Sequence, residues 1–379
     1  MAKVSLKKIS KVYPGKNGQE VIVVSDLDLE IQDREFVVLV GPPACGLSSV
    51  VRMIAGLEDV SRGEIWIDDR AVNDLPPKDH GVALVAGDHT LYPRMSVSEN
   101  LAFGLKLRKF PKAELEKRVR GAAAAVGLEE LLERKPESLS REQCQRVAIA
   151  RAVALQPKVY LFDEPLATVE AKARGPLRSE IAKLQQRLDA TTLYATHDPV
   201  EAMAMGGRIV VLGDGTVQQE GTARELYDEP ANLFVAGFLG RAPMNFIRGT
   251  LKRERDGLLF SEMEEGTIEV RLPISKFPAT DEFAGKTVLL GIRPEEIGIA
   301  GSAATEKYVG DFPALIDHAE LLGAEADLYL RTGAHTLISR IPGGSSSLAQ
   351  AGHRGRFLLN MNRLHMFDPD STRRIAPPS

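Results

Sequence analysis

VVLVGPPACGLSSVVRMIAGL, residues 37–57, runs from an apolar segment through a glycine-rich turn into an apolar segment of helical character. A strand, a tight turn and a helix in that order make a phosphate-binding loop when the turn reads G-x-x-x-x-G-K-[ST]. Its backbone N–H groups then converge, the helix start adds positive potential, and Lys and Ser/Thr hold phosphate and metal. Gly41 and Gly46 have that spacing, and Ser48 and Ser49 occupy the hydroxyl positions. The lysine position holds Leu47. Pro43 removes a donor, and Ala44 brings a Cβ where a left-handed turn favours glycine. Taken alone, the stretch reads as an ordinary Gly-Pro turn.

Working outward, FVVLV (36–40) is continuously apolar, as a strand buried on both faces requires. The segments before it, AKVSLKKIS and EVIVVSDLDLEI, alternate and suit an antiparallel sheet with one wet face. VALVA (82–86) predicts a further strand. SVSENLAFGLKL and SREQCQRVAIARAVAL each begin with a capping box, Ser96 with Glu99 and Ser140 with Gln143, so the block from about 88 to 156 reads as helical. VYLFDEP (159–165) and TTLYATHD (191–198) flank a helical segment. A buried strand, a helix and a second buried strand predict a parallel α/β core. RIVVLGDGTVQQEG reads as a hairpin turning at Asp214-Gly215. Beyond residue 236 the texture becomes short β segments broken by Gly, Pro and charge, the pattern of a small all-β barrel domain. Domains are therefore expected at 1–236 and 237–379, with the tail STRRIAPPS disordered.

The bulk numbers narrow the function. The chain has 379 residues, too many for one small core, and 48 basic against 52 acidic residues give a net charge of −4. That balance offers no field for nucleic acid. Two distant cysteines, Cys45 and Cys144, build no disulfide framework or zinc site. No run reaches the roughly 18 apolar residues of a membrane span, and no signal peptide is read at the N-terminus. The expectation is a cytoplasmic protein that reaches a membrane only through a partner.

Two further motifs carry chemistry. Asp163-Glu164 ends an apolar strand, where ligands bind in open α/β sheets. Asp163 suits Mg²⁺ and Glu164 suits polarising a water. A solvated acidic loop is the bland alternative, and a satisfied loop residue is the bland reading of His197.

In order along the chain, these segments resemble the ATP-binding subunits of ABC transporters, in the maltose-type sugar-importer branch. LYPRMSVSENLAFGLKL, RKPESLSREQCQRVAIARA, LFDEPLATVEAKAR, LYATHDPVEAM, FVAGFLGRAPMNF and GIRPEEI carry the resemblance, which covers nearly the whole chain. It implies a P-loop, RecA-like α/β ATPase domain with antiparallel β and helical subdomains, followed by an all-β OB-like regulatory domain. It implies ATP and Mg²⁺ as ligands, a homodimer or a heterodimer with a related subunit, and membrane permease subunits as partners. In this family, one subunit's phosphate loop and the other's signature sandwich each ATP. By resemblance, Glu164 and His197 are catalytic, Ser48 and Asp163 hold metal, and Tyr13 faces the adenine. Gly41, Gly46, Ser48, Ser49, Ser140 and Gln143 bind nucleotide.

The departures fall at the same places. Leu47 replaces the loop lysine and Gly87 the glutamine that reaches metal and water. The signature LSGGQ reads Leu139-Ser140-Arg141-Glu142-Gln143, and Glu170 replaces an aspartate. Arg141 and Glu142 fill the gap left for close approach to the γ-phosphate, and Glu142 adds like charge. A weak or inactive ATPase subunit is expected. The alternatives are a working transport ATPase that tolerates the changes, or a regulatory binding module outside transport.

Overall fold

The computed structural model describes residues 2–15, 18–88, 90–254, 257–272, 277, 283–300, 310–344 and 351–375. They form two compact units, Met1–Leu226 and Tyr227–Ser379, a division that precedes the one expected at 236/237.

In the first unit, β1 (Val4–Pro14) and β2 (Glu20–Ile31) pair antiparallel, with β4 (Arg62–Ile67) and the short β5 (Arg70–Ala71) completing a four-stranded sheet in the order β2-β1-β4-β5. β3 (Phe36–Val40) belongs to a second sheet, with β6 (Val82–Ala86), β7 (Val159–Asp163), β8 (Thr191–Thr196), β9 (Arg208–Gly213) and β10 (Thr216–Gly221). Its order is β10-β9-β3-β8-β7-β6, and all neighbours are parallel except the β9–β10 hairpin. That hairpin turns at Asp214 (φ 49°) and Gly215 (φ 73°), the paired positive φ that an Asp-Gly turn supplies. All five residues of β3 and of β7 are buried, which explains their unbroken apolar runs.

Helix α1 (Leu47–Ile54) follows β3. Next come α2 (Val97–Leu107), α3 (Lys112–Ala125) and α4 (Arg141–Leu155), the expected helical block, and both capping boxes are formed. α5 (Ala171–Leu188) links β7 to β8, and α6 (Pro199–Met205) follows β8.

α5 carries Pro176 in its interior. Proline there removes one i→i−4 hydrogen bond and crowds the preceding turn, at a cost of about 3 kcal/mol. The helix persists because Leu177, Ile181 and Leu184 bury one continuous stripe. Pro176→Ala is therefore expected to stabilise this unit by about 2 kcal/mol, once the stiffer unfolded chain of the proline form is offset. Urea unfolding that shows no rise in midpoint would contradict this account of α5.

α7 (Ala223–Asp228) and α8 (Leu233–Phe238) precede the β segments. Residues 237–246 are thus partly helix at the start and partly strand at the end. β11 (Asn245–Glu254), β12 (Gly257–Glu262), β13 (Glu269–Leu272), β14 (Thr287–Ile292) and β20 (His365–Phe367) form one sheet. β15 (Ile297–Ile299), β16 (Gly310–Leu322), β17 (Glu325–Arg331), β18 (Thr336–Pro342) and β19 (Arg354–Leu359) form the other. The two share a core around Phe260, Phe312 and Phe357. Asn245 clamps them, donating to the Ile338 carbonyl at 2.8 Å and accepting from the Ile338 N–H at 2.7 Å. The tail departs from expectation as far as Ile375. Leu233 N–H donates to Thr372 O, Arg374 N–H to Ala231 O and Ile375 N–H to Met366 O. Residues 376–379 of that tail lie outside the described ones.

Candidate nucleotide site

Parallel register builds the site. Val40 lies opposite Thr196, Asp163 opposite Ala195, and Ala86 opposite Asp163. The carboxyl ends of β3, β8, β7 and β6 therefore stand side by side, presenting the 41–46 loop, His197, Asp163-Glu164 and Gly87 in one row. This is where open α/β sheets bind ligands.

The loop keeps a phosphate-loop shape. Gly46 caps α1 at φ 98°, and a Cβ there would meet Val23 O at 2.7 Å. A Cβ at Gly41 would stand 2.2 Å from Leu212 O, so neither glycine is replaceable. Ala44 adopts φ 68°, the left-handed geometry expected to strain an alanine. Cys45 donates its N–H to Pro42 O at 3.3 Å, and burial pushes its thiol up to about 11. Leu47 offers no charge to a phosphate. It is 1% exposed, in an apolar core with Val50, Val51 and Ile54.

Ser48 Oγ donates to Asp163 Oδ1 at 2.8 Å. Two hard oxygens held together at the end of β7 fit a Mg²⁺ ion. Arg52, one turn along α1, approaches Asp163 at 3.8 Å and Glu58 at 3.5 Å. Glu58 accepts from the Tyr13 hydroxyl at 2.5 Å, and Tyr13 shares a further hydrogen bond with Ser49 at 3.0 Å. Burial, then Glu58, raises the Tyr13 phenol above its usual range. Tyr13 and Ser49, expected at adenine and phosphate, are thus partnered with each other. Glu58 and Arg52 were not singled out from sequence, although both fall within or just after α1.

His197 Nδ1 lies 2.7 Å from Gly41 O, and its Nε2 lies 3.1 Å from Glu164 Oε1. Glu164 itself holds φ 48°. Gly87 donates its N–H to Asp163 O at 3.0 Å and accepts from Thr168 Oγ1 at 2.6 Å. Thr168 is the other residue that sequence reading missed, since its role depends on a fold-back between β6 and β7.

The signature lies at the start of α4. Ser140 Oγ accepts from Gln143 N–H at 3.2 Å, and Gln143 Oε1 accepts from Ser140 N–H at 2.9 Å. Both side chains cap the helix. Arg141 is exposed. Glu142 turns back along the helix to Arg146 at 3.0 Å, and Arg146 also reaches Glu180. The like charge expected to face a phosphate is therefore balanced on its own helix. Glu170 stands at the N-cap of α5 but makes no capping bond, pairing with Lys172 at 3.2 Å instead. Its extra methylene, relative to aspartate, misfits the cap.

A cleft of about 600 Å³ on the wet face of the antiparallel sheet is a different matter. Several of its lining charges pair with one another, as in Arg208–Glu220 at 2.6 Å and Lys3–Glu30.

A chain with this loop, this carboxylate pair and this histidine on one parallel sheet edge has the layout of an ABC transporter ATPase. Residues 24–167 match the ABC transporter family model and residues 243–297 the MalK OB fold domain model. The chain belongs to the ATP-binding proteins of ABC transporters. It is 43% identical over 377 residues to the oligosaccharides import ATP-binding protein MsmX of Bacillus subtilis, covering 99% of this chain and 100% of that protein. It is 42% identical over 380 residues to the sn-glycerol-3-phosphate import ATP-binding protein UgpC of Bordetella avium, covering 99% of each. Among solved structures, the post-hydrolysis dimer of the ATP-binding cassette MJ0796 with ADP and Pi superposes with a TM-score of 0.53 at 30% identity. That match covers 58% of this chain and 99% of the cassette. Among the described residues no helix is long and apolar enough to cross a membrane.

Proposed function

We propose that this chain is the ATP-binding-type subunit of an ABC importer for carbohydrates, with ATP binding and hydrolysis severely impaired. It docks on membrane permease subunits at the cytoplasmic face, through the region near 86–110, and pairs with a second ATP-binding subunit. The branch rests on relatives named for oligosaccharide and glycerol-phosphate import.

The observation that carries the impairment is Leu47, 1% exposed in an apolar core at the head of α1. Losing the lysine removes a charge-assisted contact worth about 1.5–3 kcal/mol from beside several negative charges. When bound, Mg²⁺ neutralises phosphate charge. Ser48 and Asp163 would hold it, while His197 and Glu164 stay hydrogen-bonded beside them. Those intact contacts favour the second reading, a tolerant working ATPase. The defects, however, fall in both composite sites of a dimer. Leu47 affects the site of this chain's own loop, and Arg141-Glu142 the site shared with the opposite subunit. An intact partner subunit leaves both impaired.

Calorimetric titration with Mg-ATP separates the readings. No heat is expected at millimolar nucleotide, and phosphate release is expected to equal that of Glu164→Gln. Micromolar binding together with Glu164-dependent release would establish the second reading instead.

A further inference from the structure

We propose that Gly87 is a positioning residue for Glu164: its bare Cα lets the turn after β7 close with the Glu164 carboxylate against His197. Gly87 is then more than a missing glutamine.

The contact is backbone to backbone. A Cβ at position 87 would lie 2.3 Å from the Glu164 carbonyl oxygen and 3.4 Å from the Ala167 methyl. No flexible side chain is available to yield. The Glu164 oxygen is also pinned, because it accepts the Ala167 N–H at 3.0 Å, while Glu164 N–H donates to Ala195 O at 2.9 Å. Position 87 is fixed from its own side by its N–H to Asp163 O and by the Thr168 hydroxyl on its carbonyl. A side chain at 87 cannot fit unless the backbone shifts, and with position 87 held by two hydrogen bonds the shift falls on the peptide that follows Glu164. Glu164 sits at φ 48°, in a narrow well that residues other than glycine occupy only under constraint. Rotating that peptide removes the constraint, and the carboxylate leaves its place 3.1 Å from His197 Nε2. The exchange of glutamine for glycine and the present setting of Glu164 are one coupled feature. Restoring glutamine alone therefore displaces the carboxylate rather than repairing the site.

The inference uses the site of the proposed function but not its reading of ATP affinity, so its test needs no nucleotide. The full chain, labelled at histidine nitrogens, is compared by NMR as wild type, Gly87→Ala, Gly87→Gln and Glu164→Gln, with His197→Gln assigning the signal. The His197 ring signals of both Gly87 variants are expected to move to those of Glu164→Gln. Adding Gly87→Ala to Glu164→Gln is expected to move them no further. A folded Gly87→Ala protein with wild-type His197 signals overturns the proposal, as do additive shifts in the double variant. If the Gly87 variants do not fold, Thr168→Val keeps the glycine and removes only the hydroxyl that fixes it. His197 signals are then expected to shift part of the way, and unchanged signals overturn the proposal.

Discussion

Leu47→Lys combined with Ala44→Gly is expected to bring Mg-ATP binding into the micromolar range, with turnover still at background. One restored charge-assisted contact of about 1.5–3 kcal/mol corresponds to roughly ten- to hundredfold in affinity. Ala44 at φ 68° stores about 1 kcal/mol that glycine releases, and it frees the loop to close on phosphate. Stability moves the other way, because a leucine that is 1% exposed leaves the core. That loss is worth about 2 kcal/mol, so calorimetry is done well below the lowered unfolding midpoint. Turnover stays low because Gly87 has no side chain to place the water and Arg141-Glu142 still occupy the signature. Affinity unchanged from wild type would show that Pro43 and the internal Cys45–Pro42 bond, not the missing cation, disable the loop. Glu164-dependent turnover by the double variant would show that the signature changes are tolerated.

The legible part of this chain is the part set by local rules. FVVLV and VYLF announce strands buried on both faces, Ser140 and Gln143 announce a helix start, and Asp214-Gly215 announces a hairpin. The site row follows once β3, β8, β7 and β6 are known to be parallel neighbours, since each motif directly follows one of them. Other features depend on distant contacts that spacing does not encode. Glu142 looks like a charge aimed at phosphate until α4 places Arg146 one turn away and α5 adds Glu180. Gly87 looks like a deletion until the β7 turn folds its carbonyl against it. Thr372 and Ile375 look like loose tail until bonds from Leu233 and to Met366 hold them. Pro176 disfavours its helix by propensity, and tertiary burial of Leu177, Ile181 and Leu184 overrides it.

Arg293→Met is expected to cost the second unit about 3–5 kcal/mol, the largest stability loss foreseen for a single side chain here. Arg293 follows β14 and is 3% exposed. Its Nη1 donates to Ala236 O at 3.0 Å and to Leu239 O at 2.5 Å, and its Nη2 donates to Tyr227 O at 3.2 Å. The first two acceptors are carbonyls at the end of α8, which have no partner inside the helix. A cation there also complements the helix dipole. The guanidinium lies 3.9 Å from the Tyr227 ring centroid, and burial pulls it down to about 10. Its Nε is the one buried side-chain polar atom without a partner among the described residues. The charge therefore carries a desolvation penalty, offset by three carbonyls and a ring rather than by a carboxylate. Methionine keeps the stem volume and removes every donor, leaving carbonyls that cost about 1–3 kcal/mol each when buried and unpaired. Arg293→Lys recovers only part, because one ammonium cannot span α7 and both α8 acceptors. Guanidinium unfolding, with hydrogen exchange followed over residues 227–240, measures both effects. A loss below about 1 kcal/mol in Arg293→Met would mean that water replaces the guanidinium at those carbonyls and that α8 is held by its apolar face alone.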